Sequence, residues 1–204
     1  MSRLPNLLTG LRLALALFTF FGLAIPVLLG ERLTQDVQYS LERWAFVAFV
    51  VAAVTDFFDG WLARKLKAAS LWGAILDPIA DKVLVCAAIL GLLTLGPNAA
   101  VAIPAALILF REFTVSALRE VAAGKGVSLP VTLLAKWKTT LQLVALGAEL
   151  LVACWAAFSL PGDPEILGPA TIGAHALLWL AAVITLVTGA QYWEQARRSL
   201  AKHS

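Results

Sequence analysis

Three runs of this chain carry no Asp, Glu, Lys or Arg at all: Leu13 to Gly30, Val83 to Phe110 and Ile166 to Trp193. Each is close to or beyond the roughly 20 apolar residues that cross a bilayer as a helix. Lipid offers backbone N–H and C=O groups no partner, so such runs must satisfy their hydrogen bonds internally, as helices do. With 60% hydrophobic and 14% charged residues in 204, an all-α integral membrane protein is expected, and a water-soluble globule is excluded.

Six transmembrane helices account for the hydropathy, at about 5–29, 42–66, 71–95, 99–123, 132–157 and 171–196. The run 83–110 is too long for one span, and "GPN" at 96–98 places a turn near its middle. One membrane domain, 1–204, is expected. The first apolar run lacks a signal-peptide cleavage site and should stay as the first span. Basic residues gather at alternate span ends: Arg3 and Arg12; Arg64, Lys65 and Lys67; Arg119, Lys125, Lys136 and Lys138; Arg197, Arg198 and Lys202. That side, with both termini, is therefore expected to be cytoplasmic.

The net charge of +3 is scattered, without the basic blocks of a nucleic-acid surface, so no nucleic-acid partner is expected. Cys86 and Cys154 have no metal-ligand spacing and read as inert core residues. Trp44, Trp72, Trp155 and Trp193 read as interfacial belt residues. Pro26 and Pro104 are candidate kinks without a further role.

Against this background the stretch "TDFFDGWLARKLKAASLWGAILDPIADK" places four aspartates beside the bilayer. Asp56 and Asp59 are three apart and share a helical face; Asp77 and Asp81 are four apart on the next helix. A short turn between the helices brings the two faces together. Carboxylates in or near a span cost several kcal/mol unless paired, solvated or bound to a cation. Convergent oxygen ligands suit Mg²⁺ or Mn²⁺. Gly60 and Ala63 leave room for a ligand or a neighbouring helix, and Arg64 adds a planar phosphate donor. The plainer reading, hydrated acids at helix ends favoured by the dipole, suits one aspartate better than four.

Asp56, Asp59, Gly60, Ala63, Arg64, Gly73, Asp77 and Asp81 form D-x-x-D-G-x-x-A-R, eight residues, then G-x-x-x-D-x-x-x-D. On these residues the chain resembles the CDP-alcohol phosphotransferase family. The resemblance implies a six-helix membrane enzyme, usually a homodimer, that moves a substituted phosphate from a CDP-linked donor to an alcohol and releases CMP. It implies two divalent ions held by Asp56, Asp59, Asp77 and Asp81, with Asp81 also the general base. It places Gly60, Arg64, Ser70 and Gly73 at the CDP group, with Asn6 and Thr9 at the head of the first span. Asn6 is equally well read as a helix cap, and Arg12 as a snorkelling anchor or a phosphate contact, the anchor being preferred.

Four further segments, "PNLLTGLRLAL", "REFTVSALRE", "AKWKTTLQ" and "QYWEQARRS", resemble the bacterial branch of that family that makes phosphatidylglycerophosphate. One departure is Ala135, where that branch often has Gly. The resemblance implies CDP-diacylglycerol as donor, sn-glycerol 3-phosphate as acceptor, and the bacterial inner membrane as location. An acceptor carrying its own phosphate needs cations. Arg111 and Arg119 are eight apart, about two helical turns, with Ser116 roughly between them, and Lys136 and Lys138 open the next span. The positive-inside rule alone also places basic residues at these ends, and Glu112 either orients Arg111 or only neutralises it. His175 and Glu149 read as satisfied helix contacts on the far side. Rival readings keep the site and change the acceptor to inositol phosphate, serine or phosphatidylglycerol, or make the carboxylates a divalent-cation path.

Overall fold

The computed structural model describes the backbone of residues 3–66, 71–96, 98–127 and 133–200, and side chains there except at 3–6, 57–66, 71–75, 77, 133–136 and 200. These residues form six long helices: α1 (Arg3–Leu29), α2 (Gln35–Leu66), α3 (Leu71–Thr94), α4 (Ala99–Gly124), α5 (Leu133–Ala153) and α6 (Pro164–Leu200). Short 3₁₀ turns at Gly30–Arg32 and Ala156–Phe158 complete them, and no strand occurs among the described residues. Four helical segments among the described residues are long and apolar enough to cross a membrane: Leu7–Arg32, Gln35–Asp56, Ala99–Gly124 and Pro164–Ser199.

Several helix ends follow from local chemistry. The 83–110 run is broken at Gly96, whose φ of 150° suits glycine, and Asn98 then caps α4 by accepting from the Ala100 amide at 2.9 Å. Asp163 Oδ1 accepts from the Glu165 amide at 3.0 Å, and Pro164 takes the first helical position, where a missing N–H costs nothing. These two residues start α6 seven positions before the expected span. Helix α2 likewise begins at Gln35, ahead of the expected Glu42, because the polar segment "QDVQYS" continues the helix. With 32 residues α2 is about 48 Å long, more than the roughly 30 Å hydrocarbon layer needs.

The chain divides into two compact units, Met1–Pro97 with Leu146–Thr171, and Asn98–Ala145 with Ile172–Ser204. In the first, α1 packs on both α2 and α3. Its seam is built of small side chains: Ala16 of α1, Ala45, Ala48 and Ala52 of α2, and Ala80 and Ala88 of α3 are buried. A Cβ on Gly22 would stand 2.8 Å from Ala45 Cβ, and one on Gly91 2.7 Å from Leu23 Cδ1. Lipid tails are as apolar as leucine, so helix pairing in a bilayer depends on such close backbone approach. Thr19 Oγ1 reaches the Leu15 and Ala45 carbonyls at 2.9 and 3.3 Å, tying α1 to α2.

In the second unit the C-terminal ends of α4 and α6 share a cluster of Val115, Leu118, Ala122, Val127, Tyr192 and Ala196. Towards the other end of these helices, Asn98 Nδ2 and His175 Nε2 lie 3.3 Å apart, the satisfied contact expected of His175. Large apolar side chains such as Leu17, Phe18, Phe21, Leu28, Phe110, Ile172 and Val183 face outward, as lipid-facing positions do. Trp44 and Trp193 are well exposed. Cys86 and Cys154 are not joined in a disulfide, and Cys154 is buried.

Candidate functional site

The third turn of α1 carries Arg12, only 2% exposed. Its Nη1 lies 2.8 Å from Asp56 Oδ1 of α2 and 2.7 Å from Asp81 Oδ1 of α3. One guanidinium nitrogen thus holds a carboxylate from each of two helices. Taking the two distances together, the oxygens are at most 5.5 Å apart. The anchor reading of Arg12 is therefore corrected. A snorkelling side chain keeps its head in water, whereas this one is turned inward and pairs with two acids. Asp56 and Asp81 keep 27% and 45% of their side chains exposed, so the carboxylates form the open side of the cluster.

This donor set fits a hard divalent cation. Two hard oxygens from separate helices, open on one side, are the kind of ligand such ions take. No group of three or more His, Cys, Asp or Glu is gathered among the described residues. The side chains of Asp59 on α2 and Asp77 on α3, the other two expected ligands, lie outside the described residues, as do those of Asn6, Gly60, Arg64, Gly73 and Lys136. Ser70 lies outside them altogether. Thr9, one turn before Arg12, is buried in α1.

A second ion cluster occupies the other unit. Arg111 of α4 and Lys138 of α5 are 7% and 3% exposed, and Glu112 pairs with both. Arg111 Nη1 is 3.6 Å from Glu112 Oε1, and Lys138 Nζ donates a hydrogen bond to that same oxygen. Burial at this depth exceeds what a flanking anchor needs, so the positive-inside rule alone does not account for these cations. Of the expected partners, Ser116 is half-buried, while Arg119 is exposed and outside this set of contacts. Glu112 offsets the charge of Arg111 across 3.6 Å and shares the same oxygen with Lys138.

Arg111 also reaches α6, which sequence reasoning left out of the site. Its Nη2 donates to Thr188 Oγ1 at 3.2 Å, and its Cζ lies 5.8 Å from the centre of the Tyr192 ring. Two positions per turn of an otherwise uncharged run, a hydroxyl and an aromatic at i and i+4, were the available signal. Arg197 and Arg198 at the end of α6 are exposed and pair with Glu194.

The model of the CDP-alcohol phosphatidyltransferase family matches residues 2–188. The chain belongs to this family. Similar proteins named CDP-diacylglycerol--glycerol-3-phosphate 3-phosphatidyltransferase include one from Cereibacter sphaeroides, 39% identical over 95% of both chains. Another, from Rickettsia bellii, is 40% identical over 96% of both, and one from Pectobacterium atrosepticum is 37% identical over 97% of this chain and 96% of its own. Members of the CDP-alcohol phosphatidyltransferase family generally use divalent metal ions, which accords with the donor set at Asp56 and Asp81.

Proposed function

We propose that the protein transfers the phosphatidyl group of CDP-diacylglycerol to sn-glycerol 3-phosphate, forming phosphatidylglycerophosphate and releasing CMP. The relatives named above carry this activity in their names over nearly their full lengths. The observation that carries the reading is the meeting of Asp56 and Asp81, the first and last acids of the signature, on one buried arginine.

In this reading Asp56, Asp59, Asp77 and Asp81 would hold two Mg²⁺ or Mn²⁺ ions, which would supply charge neutralisation for the donor diphosphate and the departing CMP. Gly60, Arg64, Ser70 and Gly73, with Asn6 and Thr9, hold the CDP group. Arg111 and Lys138, with Lys136, Arg119 and Ser116, hold the phosphate of the acceptor. Asp81 takes the proton of the acceptor hydroxyl. The hydroxyl oxygen bonds to the phosphorus bearing diacylglycerol as the bond from that phosphorus to the CMP oxygen breaks. Arg12 keeps Asp81 and Asp56 close while the proton moves. Direct displacement inverts the phosphorus, and no enzyme-bound phosphatidyl group forms.

The same reading makes the chain one membrane domain of six spans in a bacterial inner membrane, with both termini and the site cytoplasmic, working as a homodimer. The alternation of basic span ends supports the orientation. A lipid-tailed donor and a water-soluble acceptor meet at such a surface.

The test is CMP release by the purified protein from CDP-diacylglycerol with Mg²⁺ or Mn²⁺, offering sn-glycerol 3-phosphate, inositol phosphate, serine and phosphatidylglycerol in turn. Metal-dependent release with sn-glycerol 3-phosphate alone, lost in Asp81→Asn, is expected. Release with another acceptor would overturn the reading of the basic cluster and keep that of the aspartates. Release with none, together with divalent-cation flux in liposomes, would overturn both.

A further inference from the structure

The Arg111 stem lies across the backbone of α6. A Cβ on Gly189 would stand 2.8 Å from Arg111 Cγ, 3.4 Å from Nε and 3.7 Å from Cδ. The nearest atom belongs to the root of the side chain, so a methyl group there would redirect the whole arginine. Just before it, the Thr188 hydroxyl lies 2.9 Å from both the Ile184 and Thr185 carbonyls. Its one proton is directed to those carbonyls, which turns its lone pairs to the Arg111 Nη2 that donates to it at 3.2 Å. Tyr192, one turn on and 4% exposed, lays its ring beside the guanidinium. Arg111 Nε has no hydrogen-bond partner among the described residues. Glu112 contributes little to this orientation, since it lies 3.6 Å from Arg111 and is shared with Lys138.

We propose that Thr188, Gly189 and Tyr192 of α6 are positioning residues that seat the Arg111 guanidinium for the phosphate of the acceptor, an inference that rests on the acceptor reading above. Glycine at 189 gives the stem its path, and Thr188 and Tyr192 fix the plane of the guanidinium. The region thereby favours acceptors that carry a phosphate over those that do not.

The experiment compares Gly189→Ala, Thr188→Val and Arg111→Ala with the parent protein in nanodiscs, measuring KM for sn-glycerol 3-phosphate, KM for CDP-diacylglycerol, kcat and Tm. Helix propensity alone favours alanine over glycine, so a loss in Gly189→Ala traces to the contact with Arg111. Gly173→Ala, on the same helix where a Cβ meets nothing within 4 Å, is the control and leaves both KM values unchanged. Gly189→Ala is expected to raise KM for sn-glycerol 3-phosphate about tenfold and Thr188→Val about fivefold, with KM for CDP-diacylglycerol unmoved. If Gly189→Ala does not fold, Thr188→Val decides. A raised KM in Arg111→Ala with parental values in the two α6 variants would overturn the seat and leave the acceptor reading standing. A parental KM in Arg111→Ala would overturn both, and an equal rise in both KM values would assign α6 a structural role only.

Discussion

In the first unit one arginine is buried between two carboxylates; in the second, one glutamate lies between two buried cations. Each described cluster is one counter-charge short of balance, acidic in the first and basic in the second. Both are deepest at their cations. In the first cluster the carboxylates are therefore the outward groups and the arginine lies beneath them. In the second the order is reversed, for Glu112 is 20% exposed above Lys138 at 4% and Arg111 at 8%. A cation meets the acids of the first cluster directly, whereas an anion must compete with a resident carboxylate for the cations of the second.

The strongest way to break this comparison is at Asp81. Asp81→Asn removes the expected base and one metal ligand together, and CMP release should fall by about a thousandfold or more. A chelator should reproduce that loss in the parent and added Mg²⁺ or Mn²⁺ should reverse it, while full activity in excess chelator would end the metal reading. Next comes Glu112→Gln, which leaves Arg111 and Lys138 buried without their carboxylate. Such a change costs about 3 kcal/mol, and inorganic phosphate should restore part of the Tm, more than it raises that of the parent. Equal Tm increments in the two proteins would show that Glu112 is not the group an anion replaces.

Arg12→Ala should cost somewhat less, about 2 kcal/mol, because its partners are partly exposed and screened. Millimolar Mg²⁺ should raise the Tm of this variant more than that of the parent, since the ion takes over the neutralisation of Asp56 and Asp81; an unchanged Tm in Arg12→Ala would sink the scaffold role. The smallest effect is expected at Asn98, which belongs to neither cluster. Asn98→Ala loses the cap of α4, about 1 kcal/mol, and should leave both KM values alone. A shifted KM there would mean that the comparison omits a coupling between α4 and the chemistry.

How much of this could be read from the sequence depended on whether a residue broke the pattern around it. The aspartates did so, since acids beside a span need a reason, and their spacing supplied one. Arg12 did not: a basic residue near the start of a first span is what membrane orientation already demands, and its partner Asp81 is 69 positions away. Thr188, Gly189 and Tyr192 sit in an uncharged run whose contact to Arg111 spans 77 positions, so hydropathy recorded only a helix. The early start of α6 was legible in principle, since Asp163 followed by Pro164 is a helix-opening pair; the lower hydropathy before Thr171 drew the expected boundary inward. Arg119 shares a helical face with Arg111 yet is exposed where Arg111 is buried, because a shared face does not fix how deep each side chain lies.

The ion pair between Arg12 and Asp81 also orders events in time. A ribosome completes Arg12 with its whole helix long before Asp81, which follows 69 residues later. Until then water and lipid headgroups must solvate the arginine, which holds the nascent α1 with that end at the membrane surface. Arrival of α2 and then α3 supplies the carboxylates that draw the charge inward, so the last acid of the signature to be synthesised also completes the docking of the first helix. Biogenesis and the proposed chemistry thus share one checkpoint: a chain that has not yet made the aspartate proposed as its base has not yet finished docking its first helix.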